Sequence, residues 1–415
     1  MQRLFFLWGA LIPMPAIALD IGNSLLALSN VILLLIIIKK FLYSNRICIY
    51  VNVNNCRWYA FVLSVLITSM VSFYTFSSEW LINSISLSVK NLFFILAILL
   101  LFKNNELINN RTYFIKGLYY SALINLLWAY LQLYFGYVLG ININEVVFSN
   151  VLHLNGGVDW NQNVANGIVY RMSGLSWEPA NFGLIANIGI ILSSNIYLKI
   201  AFAIGILLST SKMGMMCLAV ILIVDTIRYI QNLNKKKIYI KSNKLMKSLL
   251  IGIIIIAICL YFENIIISGI ERICDMFDVL NIALTSMDNT SANIHKLYYE
   301  KLLYIYSNSD LLNILFGYGM FCAGYPYVIN NIVMYSGVWN PESDFITLFI
   351  GNGIVGGFIY YAILLRGLFY NHSYKIRMII LTIIVAGVFY LQVKGWIIPL
   401  ILITALPEKM EKAGI

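Results

Sequence analysis

Apolar runs of helical length follow one another along almost the whole chain, each closed by a short polar or charged segment. A bilayer core takes roughly 20 apolar residues per helix. The pattern therefore predicts about twelve membrane spans, near 4–19, 25–43, 58–76, 81–102, 114–135, 179–194, 197–209, 213–230, 248–268, 345–369, 376–392 and 396–406. Several are short, and the last reads as a half-span. No polar block long enough to fold separately interrupts the runs, so residues 1–415 read as one all-α polytopic membrane domain. The first run, "LFFLWGALIPMPAIAL", resembles a signal peptide. The following "DIGNSLLALSN" offers no small-residue cleavage site, and an uncleaved first span is expected.

Composition agrees with that reading. Of 415 residues, 60% are apolar and 11% charged, the balance of an integral membrane protein. The charges also orient it. With the N-terminus inside, the inner segments hold Arg3, Lys39, Lys40, Arg46, Arg57, Lys103, Arg111, Lys116, Lys199, Arg228, the cluster "KKKIYIKSNKLMK", Arg366, Lys375, Arg377, Lys409 and Lys412. The outer segments hold only Arg171, Lys212, Arg272, Lys296, Lys301 and Lys394. This asymmetry places both termini in the cytoplasm. The net charge of +10 then belongs to topology and headgroup contact, and no nucleic-acid partner is needed to explain it.

Two outer segments are long, about 136–178 and about 269–344. Loops of that length commonly bind or catalyse something. The second contains Ile294, Leu297, Tyr298, Leu302, Ile305 and Tyr306 at three- and four-residue spacing, an amphipathic helix suited to lying on the membrane surface. Its polar side carries His295, Lys296, Glu300 and Lys301; a solvated face with one weak Lys296–Glu300 ion pair accounts for them equally well.

The unusual charges gather where these loops turn into spans. In "YRMSGLSWEPANFG", Pro179 suits a first helical turn and Glu178 sits where a helix dipole favours an anion. A helix start explains both without chemistry, but not Arg171. "WNPESDF", residues 339–345, repeats the design with Trp339, Glu342 and Asp344; Trp177 and Trp339 read as interfacial anchors. Two carboxylates beside an apolar run are helix-start acids or, with raised pKa values, bases. "LLSTSKMGMM" puts Lys212 on a very short outer turn, where it either snorkels to the interface or faces the cavity that Arg171 faces. Lys90 lies inside the fourth span. Arg272 follows the ninth span, flanked by Glu271, Asp275 and Asp278. In "LFGYGMFCAGYP", Gly317 and Gly319 flank Tyr318 and allow close backbone approach, without a nucleotide-binding pattern after them. Six scattered cysteines and three distant histidines indicate no metal site; Cys274 and Cys322 share an outer loop and could pair, but scattered cysteines in such a chain read first as small apolar side chains.

Four pieces in order, "RMSGLSWEPANFG", "LSTSKMG", "LLNILFGYG" and "ESDFITLFIGNGIVGG", make residues 170–370 similar to the O-antigen polymerase (Wzy) family within the O-antigen polymerase and ligase superfamily. Lys212 stands where relatives often carry arginine, and His295 about where ligase-like members carry a loop arginine. Arg171 to Gly183 is one residue longer than the arginine-x-ten-glycine spacing of some polymerases. Acids replace the late-loop histidine of ligases, which favours polymerase.

The resemblance implies a GT-C-like fold in a bacterial inner membrane, with a metal-independent and cofactor-free glycosyltransferase site facing the periplasm. It implies transfer of one undecaprenyl-pyrophosphate-linked glycan to another. In that expectation Arg171 and Arg272, helped by Lys212 and His295, stabilise the leaving pyrophosphate. Glu178, Glu342 or Asp344 orients or deprotonates the acceptor hydroxyl. Lys296 and Tyr318 join Lys212 and His295 in binding substrate. Membrane lipids, a chain-length regulator and a flippase are the expected company. A ligase that delivers the glycan to lipid A-core is the nearest rival. A polysaccharide flippase is the rival from another class, but this chain concentrates its unusual residues in outer loops, not along a central path.

Overall fold

The computed structural model describes residues 1–14, 17–21, 24–43, 50, 55–75, 78–151, 161–164, 167–176, 178–209, 211–235, 291–320, 322–332, 341, 343–390 and 397–406. The expected ninth span, Arg272, Cys274, Trp177, Trp339 and Glu342 lie outside them, as do the side chains of Lys90 and His295. The chain divides into two compact units, residues 1–221 with 304–415, and residues 222–303.

The described fold is helical apart from two short antiparallel hairpins, β1 (Ala18–Ile21) with β2 (Ser24–Ala27) and β3 (Asn161–Val164) with β4 (Gly167–Tyr170). The first corrects the expectation of helix up to residue 19. Gly22 and Asn23, which separate its strands, favour turns, and the apolar run on each side suits a strand as well as a helix. The second hairpin delivers the chain to Arg171.

Among the described residues, three helices are long and apolar enough to cross a membrane: α3 (Cys56–Thr75), most of α8 (Lys212–Lys235) and α14 (Gly353–Tyr370). A fourth is counted if the end of α4 (Ser78–Leu101) and α5 (Asn104–Tyr134), bent by 115° at their junction, form one broken span. The remaining apolar runs fold into shorter helices. These are α1 (Gln2–Leu11), α2 (Leu28–Tyr43), α6 (Pro179–Leu192), α7 (Ile196–Leu208), α15 (Tyr374–Phe389) and α16 (Ile397–Thr404), of 8 to 16 residues. At 1.5 Å per residue they fall short of a full bilayer core, which is why they do not pass as spans one by one. The amphipathic run of the second long loop forms α9 (Ser291–Glu300) and α10 (Leu302–Ser307), followed by α11 (Leu311–Phe316) and α12 (Tyr325–Ile329).

The apolar run at 345–369 is not one span. Its first part is α13 (Asp344–Gly351), which folds back antiparallel on α14: Phe345 meets the Tyr361 ring at 6.0 Å and Phe349 meets Phe358 at 5.4 Å. The reason lies at the break. Gly353 has φ +68°, a left-handed conformation, and a Cβ there would strike the Leu315 carbonyl. The last carbonyls of α13 are taken by a neighbouring segment, with Tyr318 N–H donating to Ile350 O (3.0 Å) and Gly319 N–H to Gly351 O (2.9 Å). With its orphan carbonyls satisfied from outside, α13 has no need to continue. The "LFGYG" and "IGNG" glycines thus serve backbone contact with each other.

The core of the larger unit joins α1 to α5 through Trp8 and Phe114 (5.1 Å) and α3 to α14 through Phe61 and Tyr360 (5.8 Å). Buried Thr68 and Ser72 on α3 donate back to Ser64 O (2.8 Å) and Thr68 O (2.9 Å), and each also reaches a neighbour, Thr68 Oγ1 bonding Phe316 O on α11 and Ser72 Oγ meeting Ser84 Oγ on α4 at 3.2 Å.

Candidate functional site

Arg171 is held by a strap. The three residues following Met172 present consecutive N–H groups to two buried amides on α5. Gln132 Oε1 accepts from Ser173 N (3.2 Å) and Gly174 N (3.0 Å), and Asn125 Oδ1 accepts from Leu175 N (2.9 Å). Gln132 Nε2 donates to Ser173 Oγ at 3.0 Å. Asn125 and Gln132 are seven residues apart and so share one face of α5. The strap residues Met172 to Ser176 are buried in consequence.

Arg171 leaves the strap half-buried, its Nε donating to Ser209 O at 3.3 Å at the end of α7. Burial pushes its guanidinium below the ordinary arginine range, though an arginine stays protonated at any physiological pH. Lys212, the first residue of α8, lies close enough for the two charges to repel. Ser211 starts that helix by accepting from Gly214 N at 3.1 Å. Two of the sequence-picked cations are therefore brought together.

The start of α6 joins them. Glu178 is its N-cap residue, with extended backbone (φ −131°, ψ 145°), and Pro179 occupies the first turn. Glu178 O accepts from Phe182 N (3.0 Å), but its carboxylate makes no capping bond and stays half-exposed. The helix start explains Pro179 and the Glu178 backbone, not the Glu178 side chain. The first turns of α6 and α8 touch: a Cβ on Gly183 would lie 2.9 Å from Gly214 Cα and 3.2 Å from Ser211 Oγ. Asn187 fastens the crossing by donating to Gly183 O (2.8 Å) and Gly214 O (2.9 Å).

The second tryptophan–proline–acid segment reaches the same region through Tyr390, the residue closing α15. Asn181 Nδ2 on α6 meets Tyr390 OH (3.4 Å), and Asp344 N–H on α13 donates to Tyr390 O (3.3 Å). Here Ser343, not an acid, is the cap: its Oγ accepts from Ile346 N at 3.4 Å. Asp344 is 1% exposed. Its carboxylate lies against Gly387, where a Cβ would come within 3.2 Å of Oδ2, and it acts electrostatically on the buried Tyr360 hydroxyl.

Other candidates stand elsewhere. Tyr318 is 6% exposed and shares a 2.7 Å hydrogen bond with Ser309. Burial raises its pKa, and Asp310 adds to the rise. Lys296 pairs with Glu300 at 3.5 Å with both side chains more than half exposed, the weak surface pair that sequence offered as the plain account. Cys322 is a buried thiol whose pKa is pushed up to about 12 by burial, a hydrogen bond with Ser84 acting the other way. Among the described residues, no three His, Cys, Asp or Glu come together in a way that could hold a metal ion.

Sequence reasoning did not find Asn125, Gln132, Asn181, Ser343 or Tyr390. Asn125 and Gln132 carried a usable signal, two amides one heptad apart inside an otherwise apolar run. Tyr390 carried none beyond being a tyrosine near a span end.

The assembled geometry suits an anion. Arg171 stands beside Lys212 at the start of α8, against which the first turns of α6 pack, and the dipole of a helix start favours negative charge. Glu178, half-exposed, starts α6 nearby. No family model matches the chain, and no curated protein matches it.

Proposed function

We propose that this chain is a polytopic membrane glycosyltransferase that polymerises lipid-linked glycan repeat units, an O-antigen polymerase of GT-C-like fold with about twelve spans and its site on the periplasmic side of a bacterial inner membrane. The observation that carries the reading is the pairing of half-buried Arg171 with Lys212 at the start of α8. Two cations kept adjacent at a cost in mutual repulsion are best explained by a ligand with two adjacent negative charges, and pyrophosphate is such a ligand.

In this reading a sugar hydroxyl of one undecaprenyl-pyrophosphate-linked unit attacks the anomeric carbon of the chain on another. The bond to the pyrophosphate oxygen breaks, and the electron pair leaves with undecaprenyl pyrophosphate. Arg171 and Lys212 stabilise that charge. Glu178, half-exposed at the start of α6, takes the proton of the attacking hydroxyl. Asp344, being buried, holds the α13 start in place and does not meet the sugar. Arg272, Glu342 and His295 keep the parts the resemblance implies, as leaving-group, acceptor and substrate contacts. A chain-length regulator and a flippase remain the proposed partners.

Deletion of the gene separates the alternatives. A polymerase loss leaves surface lipopolysaccharide carrying a single repeat. A ligase loss leaves no repeats attached, and a flippase loss strands repeats on the cytoplasmic side; either outcome would refute the polymerase reading.

A further inference from the structure

A second cationic site lies where α1, α2 and α5 meet. The last turn of α2 is tied to the first turn of α5, because Lys40 Nζ reaches both Glu106 carboxylate oxygens, at 3.0 and 2.8 Å. Phe5 on α1 packs edge-on to Phe102 at 6.0 Å, and Lys40 lies over that same ring at 5.1 Å, which brings the start of α1 to the same place. Between the three helices is a cavity of about 570 Å³, within the roughly 300–1,000 Å³ of small-molecule sites, and Arg3 and Lys39 line it. The acid in its wall is already matched: besides Lys40, Glu106 Oε2 accepts from Lys103 N at 3.2 Å. Among the described residues, neither Arg3 nor Lys39 is ion-paired with an acid. The stretch 44–54, which continues from α2, contains no Asp or Glu. Lys39 Nζ stands 5.5 Å from the centre of the Tyr43 ring, a contact that holds the ammonium without neutralising it.

We propose that this cavity binds the phosphate of an anionic phospholipid in the headgroup layer that these helix ends meet. Two cations facing one cavity, beside an acid whose charge Lys40 already offsets, call for an anion. Arg3 can take two phosphate oxygens with its planar fork, and Lys39 adds a point charge. Gln2 and Asn109 bring amide donors for the rest of the headgroup, whereas Asn110 donates its own to Glu106 O at 2.7 Å. The surroundings favour a lipid over free phosphate. Leu4 closes part of the wall, and one turn away α1 exposes Leu7 and α2 exposes Leu35, so acyl chains have apolar surface beside the headgroup. Basic pockets between membrane helices at headgroup depth bind lipid heads in this way.

The site is independent of the polymerase reading and is tested without it. Purified full-length protein in neutral detergent is melted in the presence of phosphatidylglycerol, phosphatidylcholine or inorganic phosphate, with lipid retention followed by native mass spectrometry. Phosphatidylglycerol should raise the melting temperature saturably and phosphatidylcholine should not. Arg3→Gln and Lys39→Gln should each weaken phosphatidylglycerol binding roughly fivefold, the contribution of one cation at a membrane surface, and the double variant roughly thirtyfold. Lys39→Arg, which keeps the charge, should retain binding. Arg57→Gln removes an exposed cation that does not line this cavity, and should leave binding unchanged. Equal weakening by Arg57→Gln would assign the effect to summed surface charge and overturn the site. Equal stabilisation by inorganic phosphate alone would overturn the lipid assignment. Phosphatidylglycerol binding that survives Arg3→Gln/Lys39→Gln unaltered would overturn the site as well.

Discussion

The two segments that combine tryptophan, proline and acid echo one another without being a sequence repeat, and they do different things in the fold. "WEPANF" begins α6, a 14-residue helix, and leaves the Glu178 carboxylate half-exposed. "WNPESDF" begins α13, an 8-residue helix that turns back at Asn352–Gly353, and leaves Asp344 sealed against Gly387 and Tyr360. Both touch Tyr390. A local signature thus marks where a helix starts, whereas what lies beyond the start decides whether its acid meets solvent or the core. Of the two described acids, Glu178 is half-exposed and Asp344 is buried.

The comparison can be broken in order of effect. Gly353→Ala forces a left-handed residue and a clash with the Leu315 carbonyl, and should cost more than ~3 kcal/mol or prevent folding, read as lost expression or a collapsed thermal transition in detergent. A tolerated Gly353→Ala would mean that the α13–α14 turn is not as described. Gln132→Ala leaves Ser173 N and Gly174 N without their acceptor in a buried strap and should cost about 2–4 kcal/mol. Gln132→Glu, which keeps the acceptor, should recover part of the loss in the same melt.

Asp344→Ala and Glu178→Ala should separate the two acids. The first should destabilise by about 1–3 kcal/mol, as expected for emptying a buried polar position. The second should leave stability within about 0.5 kcal/mol while cutting polymerisation by about 10²–10⁴-fold, the contribution of a general base. Equal melting behaviour of the two variants would contradict the contrast. Tyr390→Phe removes only the 3.4 Å contact with Asn181, and should cost about 0.5–1 kcal/mol.

Much of the architecture was legible. Helices α2 to α8 and α15 follow their apolar runs, and Pro179 marked a helix start correctly. What was not legible came from contacts distant in sequence. The break of the 345–369 run depends on backbone bonds from Tyr318 and Gly319, which no local window contains. Ser343 caps α13 between two acids that are equally good helix-start residues by type, so residue type alone does not single it out. Of the candidate site, the Arg171–Lys212 pairing could be anticipated from two outer turns. Their fastening by Gln132 and Asn125 could not, since an amide inside an apolar run does not reveal its partner 40 or more residues away.

The central claim is that Arg171 holds a leaving pyrophosphate and has no necessary part in the fold. Arg171→Ala, expressed in a strain lacking the native gene, tests it by the glycan ladder on surface lipopolysaccharide together with the amount of protein in the membrane. The account predicts single-repeat lipopolysaccharide, a loss of at least about 10²-fold in polymerisation, with membrane levels unchanged. Full-length glycan ladders from that variant would contradict it.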